Sequence, residues 1–444
     1  MAGYVPSTIE ERKEMLKVCG VESIESLFEH IPDELKLKYP LNLPNGLSEM
    51  EVSQTMRKIA AKNHVFTNVF RGAGAYHHYI PSQVKYITAK EEFLTAYTPY
   101  QAEISQGLLQ SIFEFQTMIC ELTGMDVSNA SVYDGATAAA EAIAMCRDRK
   151  RSVALVSDCV DPKNLQVIET YCEANGISVR LLASKDGKTD IDALKGEVDE
   201  TIACVLLQQP NFYGLFEDAE EIGTIAHDKG VKLIMSVNPI SLGLMKTPGE
   251  CGADIAVGEG QPLGIPLSFG GPYLGFMAAK NDLMRKLPGR IVGETVDVDG
   301  KRAFVLTLQA REQHIRREKA SSNLCSNQAL CAMTAAIYLS VLGSKGLEEV
   351  SKQCFSKAHY ALEQLLKIEG FERKFSGEFF HEFVTSCRIS ADKLLAELEK
   401  YNILGGLPLS EHEILWCVTE MNRKEDIDYL VKAIKEVSQN AVDL

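Results

Sequence analysis

DGATAAAEAIAMCRDR (134–149), SVALVS (152–157), PKNLQVIETYCEANG (162–176), ISVRLLA (177–183), IACVLLQQ (202–209), AEEIGTIAHDKG (219–230) and VKLIMSV (231–237) follow one another along the chain. The runs at 152, 177, 202 and 231 are short, apolar and rich in β-branched residues, with little polar alternation. A strand covered on both faces reads this way. The pieces between them carry helical patterns with turn residues at their ends. Strands alternating with helices predict an α/β layer: a mainly parallel sheet with helices on both faces.

Working outward from this stretch, ADIAVGE (253–259) and YLGFMAA (273–279) read as later strands. Past about 330 the pattern changes. Helices are expected at 327–342, 345–368 and 389–403, a strand at 413–419 and a last helix within 423–438, which suggests a smaller α+β domain. On the N-terminal side, SQGLLQSIFEFQTMICELTG (105–124) is a long amphipathic helix with Gly124 as its C-terminal cap. FRGAGAYHHYIPSQVKYI (70–87) reads as a loop, and helical stretches at 23–35 and 47–63 are separated by KYPLNLPNG. The expected division is an extension over 1–62, a large α/β domain over 63–330 and a C-terminal domain over 331–444.

The chain has 444 residues, of which 45% are hydrophobic and 24% charged, an ordinary globular composition. Its formal net charge of −15 argues against nucleic acid or an anionic membrane as a default partner. MAGYVPSTIEERKEM lacks the basic start and apolar core of a secretory signal, and the longest apolar run, MTAAIYLSVLG (333–343), is short for a membrane span. Twelve cysteines are scattered with no CxxC pair. Cys325 and Cys331, six apart on an expected helix, would face away from each other. No metal site is expected, and reduced thiols in a cytoplasmic protein are the favoured reading.

Four segments can carry chemistry. In SVYDGATAAAEA (131–142) a glycine turn opens an Ala-rich helix whose free N–H groups can hold an anion, although Asp134 can simply cap that helix. EGQPLGIPLSFGGPYLGF (259–276) is either a tight loop or an active-site wall. QAREQHIRREKASSNLCSNQ (309–328) clusters Arg311, Arg316, Arg317 and Lys319 on an acidic protein, as a solvated helix face or as a recognition surface. Loop aromatics Tyr76, Tyr79, Tyr97 and Tyr100, with the adjacent His77 and His78, fit a cleft or a partner surface better than a metal.

FRGAGAYHHYIP, FLTAYTPYQAEISQG, SVYDGATAAAEA, GQPLGIPLSFGGPY and REQHIRREKASSNLCSNQAL, in this order, resemble the glycine cleavage system P-protein family, in the form where its N-terminal half is a separate subunit. The similarity runs from about residue 1 to 440. It implies the fold of type I pyridoxal-phosphate (PLP) enzymes: a large domain with a mostly parallel seven-stranded sheet and a small α+β C-terminal domain. The implied reaction is glycine decarboxylation, with the aminomethyl group passed to the lipoyl arm of the H-protein.

That chemistry needs a lysine for the Schiff base, an acid opposite the pyridine nitrogen and a phosphate cradle. By the resemblance, Gln261 stands at the lysine position, Asn238 at the aspartate position, and Asp134 adds negative charge to the phosphate loop. The expectation is therefore that this chain holds no PLP and assists a catalytic subunit 2 that does, in an α2β2 heterotetramer. Tyr97, Thr98, Tyr100 and Gln101 are then expected near the partner's active site, with Ser321, Ser322 and Asn323 beside it. Arg311, Arg316 and Arg317 are expected at the interface or at the H-protein docking surface. The alternatives are a self-sufficient PLP enzyme using Lys246 or Lys280, and a non-catalytic scaffold that only recruits the H-protein.

Overall fold

A computed structural model describes residues 6–442; Met1–Val5, part of the stretch read for a targeting signal, lie outside them. The chain divides into two compact units, up to Val65 and from Phe66 onward.

In the first unit, helix α1 (Ile9–Cys19) was not anticipated, and α2 (Glu49–Ala60) was. Both open on a reciprocal cap. Thr8 accepts from Glu11 N while Glu11 accepts from Thr8 N at 2.7 Å, and Ser48 and Glu51 repeat the arrangement. The helix expected over 23–35 shrinks to one 3₁₀ turn, Glu25–Phe28. Pro32 supplies no N–H and disfavours helical backbone at Ile31, which stops propagation.

The second unit is built on seven strands: β1 (Val127–Ser128), β2 (Val153–Ser157), β3 (Ser178–Leu182), β4 (Ile202–Gln209), β5 (Lys232–Val237), β6 (Ile255–Glu259) and β7 (Gly275–Ala279). Their order across the sheet is β1-β7-β6-β5-β4-β2-β3, and β7 alone runs against its neighbours. Helices cover both faces. Packed on one are α3 (Gln106–Thr123), with Phe115 and Ile119, and much of the core; on the other are α4 (Gly135–Cys146) and α5 (Pro162–Ala174). Buried apolar residues on both sides explain why β4 reads IACVLLQQ, with its first six residues fully enclosed. Helix α6 (Ala219–Asp228) joins β4 to β5 as a crossover. A hairpin, β8 (Ile291–Val296) with β9 (Arg302–Thr307), follows the sheet and was not anticipated.

Helix α7 (Ala329–Leu365) merges the two helices expected there across a break at Gly343, whose φ is +62°. Among the described residues it is one helix long and apolar enough to cross a membrane by composition; Ala332, Ala335, Tyr338 and Cys354 pack it into the sheet's core. The C-terminal part forms an antiparallel sheet, β10 (Phe371–Arg373), β11 (Glu382–Cys387), β12 (Leu407–Ser410) and β13 (Glu413–Cys417), in the order β10-β11-β13-β12. Helices α8 (Ala391–Lys400) and α9 (Lys424–Val442) complete it over a core centred on Trp416.

Residues 309–320 form no continuous helix, so of the two readings of this basic segment the solvated helix face does not apply. After a left-handed Leu308 (φ +52°), single turns at Gln309–Arg311, Gln313–Arg316 and Arg317–Lys319 are broken by extended backbone at Glu312 (ψ 150°) and by a positive φ at Arg317 (+56°). Cys325 precedes α7, so the helical spacing argument for Cys325 and Cys331 does not hold; all twelve cysteines are free thiols.

Candidate functional site

Parallel strands end together, and the crevice beyond their carboxyl ends is where α/β sheets hold ligands. Here a cavity of about 520 Å³ opens at that edge. Its floor comes from the strand ends Gln208, Ser236, Val237 and Glu259, and its sides from the first residues of α4 and α5. The loop Gly72–Tyr76 and the pair His381–Glu382 of the C-terminal sheet close it. The sheet thus brings Asp134 and Asn238 into one cavity, with Gln261 next to its lining residue Pro262.

Asp134 caps α4, accepting from Thr137 N at 2.7 Å. Glu259, at the end of β6, takes a second donor of that helix end: its Oε2 accepts from Gly135 N at 3.0 Å. Its Oε1 accepts from Gln261 N at 2.9 Å and Leu274 N at 3.0 Å. Glycine is required at 135, because a Cβ there would lie 2.7 Å from Glu259 N. Burial pushes the Glu259 carboxyl up to about 7 against these three N–H bonds, and nearby Asp134 adds to the rise.

Gln261 is 2% exposed. Its Oε1 accepts from Tyr76 N at 2.8 Å, and its Nε2 donates to Tyr76 O at 3.0 Å and Ile265 O at 2.8 Å. Asn238 Oδ1 accepts from Ile240 N at 2.9 Å, and Asn238 Nδ2 lies 3.4 Å from His381 Nε2. Of the alternative lysines, Lys246 pairs with Glu220 and Lys280 lies 3.5 Å from Asp254; neither lines the cavity.

The far wall was missed in the sequence. Glu382 accepts from Ala73 N at 2.7 Å and from the Tyr76 hydroxyl at 2.8 Å, and burial raises its carboxyl to about 7. His381 is held neutral, lowered to about 3 by burial and then by His78. Behind it His78 Nδ1 donates to Glu420 at 2.7 Å and Cys354 Sγ donates to the same carboxylate at 3.3 Å. These three residues place ligand-type atoms within 4.8 Å of one another, among the described residues, and those bonds account for the grouping.

The expected partner-facing residues gather elsewhere. Tyr97 and Ser326 share a hydroxyl hydrogen bond of 3.0 Å, and Tyr100 accepts from Arg290 at 2.8 Å, so the 97–101 loop lies against the 309–328 strip. Neither segment lines the cavity. Tyr97, Tyr100 and Gln101 are exposed and Thr98 is half-buried. Arg316, Arg317, Ser321 and Asn323 are exposed, but Arg311 turns inward and donates to the carbonyls of Leu308 (3.1 Å) and Gly289 (2.9 Å). Ser322 is tied to Glu141 of α4 at 2.7 Å.

The profile of the Glycine cleavage system P-protein family matches residues 2–434. The chain belongs to that family. It is 49% identical over 443 residues to the probable glycine dehydrogenase (decarboxylating) subunit 1 of Desulfitobacterium hafniense, covering 98% of this chain and 99% of the relative. A crystal structure of glycine decarboxylase (P-protein) of the glycine cleavage system, in inhibitor-bound form, superposes with a TM-score of 0.93 at 43% identity, over 98% of this chain and 100% of that one. The glutamate decarboxylase of Lactobacillus brevis, at 14% identity, shares the fold with a TM-score of 0.69 over 91% of this chain and 96% of its own. The architecture is the type I PLP-enzyme fold, and the cavity of this chain occupies the crevice at the strand ends.

Proposed function

We propose that this chain is the half of a split P-protein that leaves the cofactor to its partner. With a glycine dehydrogenase subunit 2 it forms, as an α2β2 heterotetramer in the cytoplasm, the enzyme that decarboxylates glycine and hands the aminomethyl group to the lipoyl arm of the H-protein. The 1–62 extension, the 63–330 domain and the 331–444 domain are read as its three parts. PLP, bound in subunit 2, supplies the electron sink for the decarboxylation.

The residues of this chain do not fit PLP. A carboxamide stands where the amine is needed, and its hydrogen-bonding groups are engaged by Tyr76 and Ile265. Two carboxylates, Asp134 and Glu259, hold the Thr137 and Gly135 N–H groups that a phosphate would use, and they would repel it. Asn238 is a neutral amide and cannot hold a pyridinium proton as a carboxylate does. The observation that carries the reading is the occupation of the α4 N-terminus by Glu259.

By the same reading the joined surface of 97–101 and 309–328 completes the partner's pocket. Tyr97, Thr98, Tyr100 and Gln101 face it, with Ser321, Ser322 and Asn323 at its edge. Arg316 and Arg317 are free to meet the partner or the H-protein, whereas Arg311 shapes the strip from within. Such an interface buries on the order of 2,000 Å² or more.

Reconstitution with subunit 2 tests this. Full glycine-dependent carbon dioxide exchange is expected only with both chains present. Exchange by this chain alone, or unchanged exchange by subunit 2 alone, would overturn it. The first result would favour a self-sufficient enzyme and the second a recruiting scaffold.

A further inference from the structure

Arg290 follows the loop that leads into β8 and is 2% exposed. Its Nη2 donates to the Tyr100 hydroxyl at 2.8 Å and its Nη1 to Asn327 Oδ1 at 3.2 Å. The guanidinium carbon lies 5.0 Å from the centre of the Tyr100 ring, close enough for a cation–π contact. Asn327 passes the linkage inward by donating to Ser131 Oγ at 2.7 Å. One enclosed cation therefore ties two exposed segments, 97–101 and 309–328, to the loop that opens α4.

The energetics of this site are unusual. Glu312 is as buried as Arg290, yet Arg290 Nε stands 3.8 Å from its Oε2, too far for a hydrogen bond. Arg290 Nε and Glu312 Oε1 both lack partners. A guanidinium that closed on this carboxylate as a two-pronged fork would satisfy both groups. Arg290 spends its donors on Tyr100 and Asn327 instead, so its attraction to Glu312, which also has His314 Nδ1 at 3.6 Å, is an ion pair without a direct hydrogen bond. Local arrangements that forgo the fork in this way mark places where a side chain is held for use. Because Tyr100 accepts from Arg290, its own hydroxyl proton remains available to a further acceptor, and the ring stays 52% exposed.

We propose that Arg290 is a positioning residue for the reaction of the assembled enzyme, holding Tyr100 and the 309–328 strip in the arrangement that the catalytic partner's pocket requires. This rests on the reading above that the strip faces that pocket. Arg290 touches neither substrate nor cofactor and acts through Tyr100.

The test uses the reconstituted complex carrying Arg290→Met, Arg290→Lys or Tyr100→Phe in this subunit. A fourth form, Arg290→Met with Glu312→Gln, removes the uncompensated carboxylate should the single change unfold the chain. At equal folded fraction and equal subunit affinity, kcat for glycine falls about 10-fold or more for either Arg290 change, while KM moves less than about 3-fold, and lysine does not rescue because it lacks the fork. Combining Arg290→Met with Tyr100→Phe costs no more than the larger single effect. Turnover that falls only in proportion to the complex formed would make Arg290 a structural residue and overturn the proposal. If Arg290→Met is silent and Tyr100→Phe is not, the proposal fails and the reading of the strip stands. If both are silent, both fail.

Discussion

The Gln261 carboxamide brackets the backbone of Tyr76, 185 residues away, accepting from its N–H at 2.8 Å and donating to its carbonyl at 3.0 Å. A third bond, to the Ile265 carbonyl at 2.8 Å, fixes the amide at both ends. At the position the family resemblance assigns to the Schiff-base lysine, this side chain is a brace between the loop from Gly72 to Tyr76 and the turn after β6.

Gln261→Leu keeps the volume and removes all three bonds, stranding the Tyr76 N–H and two carbonyls at a buried position. The expected loss is about 2–4 kcal/mol. Urea unfolding of the isolated subunit measures it; a change below about 0.5 kcal/mol would show that the bracket adds nothing to the fold.

Glu382 and Glu259 both sit raised to about 7, chiefly by burial. In the unfolded chain each would ionise in the ordinary carboxylate range. Between that range and about 7 the unfolded state holds fewer protons than the native state, so this contribution to stability is present at low pH and fades as pH rises. Glu382→Gln can accept from Ala73 N through its amide oxygen and donate its NH2 to the Tyr76 hydroxyl oxygen, without the charge. Relative to the parent chain, the variant is expected to gain stability from about pH 5 to about pH 7 and to level off above that. Parallel stability curves for the two proteins across that window would rule this out.

How much of this could be read in the sequence depended on whether a feature is local. The strands from 153 to 279 were legible because a strand enclosed on both faces is a continuous apolar run, and Asp134 was legible as a cap because capping is decided within four residues. The hairpin of β8 and β9 was not, since VGETV next to an Asp-rich turn looks like loop until its partner is known. Glu382 and His381 gave no local signal at all. They enter the cavity only because the C-terminal sheet docks over the strand ends. Glu259 could have been noticed, lying two residues before Gln261 at a strand end, but its role depends on the approach of Gly135.

Tyr97→Phe and Tyr100→Phe remove hydroxyls from exposed rings, but the second also strands a donor of the buried Arg290, so the pair is expected to cost the subunit about 1–3 kcal/mol. Glycine turnover by the assembled enzyme is expected to fall about 10-fold or more. Unchanged assembly and unchanged turnover would withdraw these residues from the partner's pocket.

Trp416, the one tryptophan of the chain, is fully buried and donates to Thr385 Oγ1 at 2.9 Å. Thr385→Val should strand the indole N–H and cost about 1–3 kcal/mol, read by the fluorescence of Trp416 during denaturation. A variant as stable as the parent would mean that the bond contributes nothing net.

Borohydride reduction of the working two-subunit enzyme, followed by mass analysis of each chain, addresses the division of labour most directly. The account predicts a pyridoxyl adduct on a lysine of subunit 2 and none on this chain. An adduct on any lysine here, at a yield comparable to the partner's, would contradict it.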